Sequence, residues 1–84
     1  MNDFKIIADS YRQLADSFEA LVMAYRILAN QADEIASKQN VEPDDIKFFF
    51  RELNTVQQMH VDAERGVSKT ASETKFKLDH TLKN

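Results

Sequence analysis

Apolar residues fall at Phe4, Ile7, Tyr11, Leu14, Phe18, Leu21, Tyr25, Leu28, Ala32 and Ile35, in steps that alternate three and four without a miss. This is a heptad pattern, and it predicts one long helix from about Asp3 to Ser37. With Phe4 taken as position a, the a row is Phe4, Tyr11, Phe18, Tyr25 and Ala32, and the d row is Ile7, Leu14, Leu21, Leu28 and Ile35. The e row is small, with Ala8, Ala15, Val22, Ala29 and Ala36. Large residues at a and d beside small ones at e make a wide, one-sided apolar face. Parallel dimers favour β-branched residues at a, and none stands there, so the expected neighbour is antiparallel. Ala20, Met23, Ala24 and Ile27 follow i, i+3, i+4, i+7 on another side of the same helix. They read as a short second stripe, either ordinary surface apolarity or a further contact surface.

The pattern breaks at residues 38–42. Pro43 suits the first turn of a helix, where a missing N–H costs nothing. Glu42 is then the N-cap, Asp44 and Asp45 favour the helix dipole, and Val41 can staple onto Ile46. So short a connection makes the two helices antiparallel neighbours. The second helix carries apolar or seam positions at Ile46, Phe49, Leu53, Val56, His60, Ala63 and Val67. It is expected from Pro43 to about Arg65. Gly66 costs a helix interior about 1 kcal/mol relative to Ala, and Thr70-Ala71-Ser72-Glu73 matches a capping box. A short third helix after Gly66 is therefore one reading. Continuation to about Leu82 is the other, and the spacing Val67, Ala71, Thr74, Leu78 favours it.

Composition narrows the class. One Gly and one Pro in 84 residues leave too few turn residues for a sheet, so the chain is all-α. A chain this short is one small domain and shelters only about 60–65% of its unfolded surface, which makes self-association an expected supplement. There is no cysteine, which excludes disulfides and thiolate metal sites. Neither a signal sequence nor an apolar run of membrane-spanning length is visible, and a cytoplasmic location is the expectation. Residues 1–64 hold six Lys/Arg against twelve Asp/Glu; residues 65–84 hold five against two. The body is acidic and the last stretch basic.

Little in the chain points to catalysis. A single Gly rules out Gly-rich phosphate loops, and no Ser or Thr has a readable His/Asp partner pattern. The pairs Asp44-Asp45 and Asp33-Glu34 suit a helix start and a solvated surface. His60 precedes Glu64 by one turn, but Gln57 and Lys77 stand where a Glu-x-x-His metal site needs carboxylates. His60 reads instead as a half-buried polar residue bonded to a Tyr11 or Tyr25 hydroxyl. No cofactor, metal or small-molecule substrate is expected.

Phe48, Phe49 and Phe50 are the informative cluster. Successive helical residues point about 100° apart, so three rings span more arc than one neighbouring helix covers. Phe49 takes the seam and Phe50 flanks it. Phe48 faces away, either over the turn or toward a partner, since aromatic residues anchor interfaces. The basic stretch of Arg65, Lys69, Lys75, Lys77 and Lys83 is the candidate nucleic-acid contact, although its members do not share one helix face.

The expected architecture is an antiparallel helical hairpin, two copies of which associate into a four-helix bundle. In layout alone it resembles the plasmid copy-number regulators that bind RNA loops as dimers of helical hairpins. The expected function is non-enzymatic protein–protein interaction, as a small phage or bacterial inhibitor, adaptor or assembly factor. Its partners would be itself and another protein, met through Phe48, Phe49, Phe50 and the Ala20, Met23, Ala24, Ile27 stripe. A dimeric RNA- or DNA-binding regulator and a structural coiled-coil subunit are the alternatives.

Overall fold

A computed structural model describes residues 3–83. They form two helices, α1 (Asp3–Ala36) and α2 (Pro43–Lys83), laid antiparallel along each other. The rod measures 67 × 15 × 13 Å. Its two helices meet flush at the far end, where the Thr81 hydroxyl donates to Asp3 Oδ2 at 2.9 Å.

The corner forms where the sequence places it. α1 ends as the Ser37 N–H bonds to the Asp33 carbonyl and Lys38 N–H to that of Ile35, at 3.1 Å each. Pro43 opens α2, and the Glu42 carbonyl accepts the first N–H bonds, from Asp45 and Ile46. Asp45 closes the corner twice. Its Oδ2 accepts the Glu42 N–H at 3.0 Å, and its Oδ1 accepts from Lys38 Nζ at 2.6 Å. One carboxylate thus ties the end of α1 to the start of α2. The expected Val41–Ile46 staple is loose, since both side chains stay about half exposed.

α2 runs unbroken through Gly66, so the third helix does not form. Thr70 does not cap a new helix; its carbonyl accepts the Thr74 hydroxyl at 2.8 Å, inside a helix already established. Gly66 remains in the helix because it faces α1. A Cβ there would come within 3.2 Å of Leu14 Cδ1, so the glycine lets the helices approach closely.

The sheltered rows differ from those the heptad suggests. In α1 every d residue is buried or half-buried. The row beside it on the inner side is the g row, of which Asp3, Ser10, Ala24 and Gln31 are half-buried. Of the a row, Tyr11, Tyr25 and Ala32 are exposed and only Phe18 is half-buried. In α2 the inner rows are Phe49, Val56, Ala63 and Thr70 with Glu52, Met59 and Gly66, while Ile46 and Val67 lie outside. The cause is size. Ser10, Ala24, Ala63 and Gly66 allow the helices to close on their g sides, and the bulky rings at a are left beside the seam rather than within it. The core is correspondingly thin: Leu21, Val56 and Ala63 are the buried side chains among the described residues, each 5% exposed. Phe18, Ala24, Leu28 and Met59 pack around them.

Two outcomes follow. The Leu14 methyl borders an open groove of about 210 Å³ into which it can shift, so Gly66→Ala should stabilise the chain by about 0.5–1 kcal/mol in thermal melts followed by helical circular dichroism. The Lys38 ammonium, and after it the Glu42 N–H, hold the Asp45 carboxyl below its ordinary value of 3.8. A lowered carboxylate contributes stability above its unfolded value, and loses it as pH falls through the folded one. Asp45→Asn should therefore lower the melting temperature by a few degrees at pH 7, the gap to the parent chain closing in acid below that ordinary value.

Candidate functional site

A two-helix rod has two broad sides, and here they differ in chemistry. The first carries the a and e rows of α1. From Tyr11 to Ala29 those rows hold aromatic rings, alanines and Val22 and no polar head group except the two tyrosine hydroxyls. α2 adds Ile46, Phe50 and Leu53 toward the corner end, where with Ala32, Ile35 and Phe49 they line an apolar hollow of about 350 Å³. A second hollow on the α1 half is lined by Ala15, Phe18, Glu19, Val22 and Met23. Large side chains stand open to solvent along this side, with Phe50 at 58% exposed.

Midway along this side the helices exchange a polar contact. Tyr25 Oη lies 3.3 Å from His60 Nδ1, and His60 Nε2 lies 2.8 Å from Glu64 Oε1. The rings meet edge to face, 6.4 Å between centroids. With Glu64 ionised and His60 neutral, the proton sits on Nε2 and donates to Glu64. Nδ1 then accepts the tyrosine O–H. Each hydrogen-bonding atom of the imidazole has a partner. The expectation of a tyrosine–histidine contact holds, with Tyr25 rather than Tyr11. The described residues contain no cluster of three or more His, Asp or Glu that could hold a metal ion.

The opposite side is more mixed. Near the corner Ala24, Ile27, Leu28 and Gln31 of α1 face Glu52, Thr55, Val56 and Met59 of α2 across a groove of about 150 Å³. Gln31 Oε1 is buried there without a hydrogen-bond partner. Further along, Ser10, Gln13, Ser17, Lys69, Thr70 and Glu73 make a polar groove over Gly66.

The residues singled out by sequence fall on different surfaces. Tyr25 and Ile27 point about 200° apart on α1, as do Phe48 and Phe50 on α2. Phe50 therefore joins the aromatic side, Phe49 enters the seam, and Phe48, 44% exposed, lies on the opposite side. The Ala20, Met23, Ala24, Ile27 stripe divides likewise. Met23 borders the aromatic side; Ala24 and Ile27 line the opposite groove; Ala20 is exposed. The basic residues form no patch. Arg65 pairs with Asp62 at 3.7 Å and Lys83 with Asp79 at 3.1 Å. Lys69 lies on the polar groove, Lys75 borders a hollow with Phe76 and Leu82, and Lys77 is half-buried. What sequence reasoning missed is the continuity of the a and e rows with Phe50, Ile46 and Leu53. Ser10 and Ala24 of the g row, with Ala63 and Gly66 on α2, were a partial signal, masked by an e row that is equally small.

No helix is long and apolar enough to cross a membrane among the described residues. Compared with known protein families, curated proteins and solved structures, the chain matches none.

An orphaned buried acceptor costs about 1–3 kcal/mol, so Gln31→Leu, which fills the same apolar groove, should raise stability by about 1 kcal/mol in urea unfolding. Tyr25→Phe, by contrast, leaves His60 Nδ1 unpaired and should lower it by about 0.5–1 kcal/mol in the same assay.

Proposed function

We propose that this chain is a non-enzymatic protein–protein interaction module, acting as an adaptor, inhibitor or assembly factor, and that its working surface is the aromatic side of the hairpin. The single observation that supports this is the uninterrupted apolar strip of the α1 a and e rows, left open beside the seam and prolonged by Ile46, Phe50 and Leu53 of α2. Open apolar surface on this scale marks contact with another apolar surface rather than with water. The hollows described on this side are shallow and, apart from Glu19, lined by aliphatic and aromatic residues, which suits the docking of side chains. Self-association into a four-helix bundle and a cytoplasmic, regulatory setting belong to the same reading.

The nucleic-acid alternative has weaker support. Two of its five basic residues are matched by acidic neighbours on the same helix, and the five point in different directions around α2. Phosphate recognition works through concentrated positive charge.

Site-directed photo-crosslinking in the producing cell tests the reading. A photoreactive residue at Val22 should give adducts that protease degrades and nuclease leaves intact, while one at Gln13, on the opposite side, gives none. Nuclease-sensitive adducts, or equal adducts at both positions, would sink it.

A further inference from the structure

We infer that the occupant of the aromatic side is a second copy of this chain, turned end for end, so that two hairpins bury the strip in a four-helix core. This rests on the functional reading above and names the partner within it.

The first ground is area. A compact chain of 9.7 kDa exposes about 5,100 Å² by the usual scaling, whereas this hairpin exposes 6714 Å². The excess is roughly 1,600 Å², against about 800 Å² that each partner loses in a standard stable interface. The aromatic side, about 50 Å long and roughly 20 Å wide, offers close to 1,000 Å² in projection. Covering it removes well over half of that excess.

The second ground is self-complementarity, which separates a copy of this chain from a foreign protein. Tyr11, Phe18 and Tyr25 recur every seven residues, and Ala15, Val22 and Ala29 fill the intervals. A copy running antiparallel sets its rings over those small residues and receives the other set of rings over its own, as knobs enter holes. The contact is isologous and closes at two chains.

The third ground is polar satisfaction. Tyr25 and His60 project into the middle of this side, and they already bond each other. His60 also bonds Glu64. Covering the side therefore strands neither ring.

Sedimentation equilibrium on the full chain, from about 1 to 100 μM, tests this. The expected result is a species of twice the chain mass, with a melting temperature that rises with concentration. Val22→Ala should raise the dissociation constant at least about tenfold, and Ala20→Asp, on the other side, should leave it unchanged. Val22→Asp should give monomer; should that variant lose its helical signal, Val22→Ala carries the test. A wild-type chain that stays at single mass at the highest concentration overturns the second copy, and if Val22 still crosslinks to another protein the interaction surface survives that failure. A dimer disrupted by Ala20→Asp and not by Val22→Ala overturns both. Mass that climbs without limit overturns the closed pair in favour of a filament subunit.

Discussion

Two helices side by side can shelter only the strip between them. Every helix presents its full circumference to its surroundings, and one neighbour covers about a third of it. In this chain the strip goes to the leucines of the d row and to small residues on the g row, with Gly66 admitted against Leu14. That choice sets the rest. Close approach gives the hairpin a thin core of Leu21, Val56 and Ala63, and it pushes the rings of the a row to one flank. The flank is then a reserve of unburied apolar surface to which α1 contributes few polar groups.

The corner and the seam divide the work of holding the hairpin. Side chains along the seam contribute through burial, which is modest per residue because most are only half covered. The corner contributes through charge-assisted bonds at one carboxylate, Asp45, which ties Lys38 to the Glu42 N–H. Elsewhere the surface ion pairs, such as Lys5–Asp9 and Arg12–Asp9, lie within one helix and are well exposed. They support local helicity and say little about how the helices pair.

The helical class, the antiparallel pairing and the corner were legible in the chain because each has a local cause. The paucity of Gly and Pro, the three-four spacing and Pro43 behind Glu42 each act through neighbouring residues. Gly66 was ambiguous because its reason lies on the other helix: without Leu14 opposite, a glycine in mid-helix and a Thr-x-x-Glu box after it read as a break. The seam was misplaced for a related cause. Periodicity identifies the apolar arc of a helix, but which part of the arc meets the neighbour depends on how close the two backbones come. The small residues at Ser10, Ala24 and Ala63 decide that distance jointly, across the pair. For the same reason Phe48 read as the outward, partner-facing ring and Phe50 as a flank of the seam, whereas the two lie on opposite sides of it and Phe50 is the one on the aromatic side.

The hydrogen bond between Thr81 and Asp3 brings the first and last described turns to one pole of the rod. Tension drawn between those two turns meets the seam as a peeling load. It falls on one pair of turns at a time, from the open pole toward the corner, and never on the whole length together. A hairpin anchored in that way yields like a zipper. The same hairpin gripped at the corner and at the opposite pole resists like a strut, since there the load runs along the helix axes.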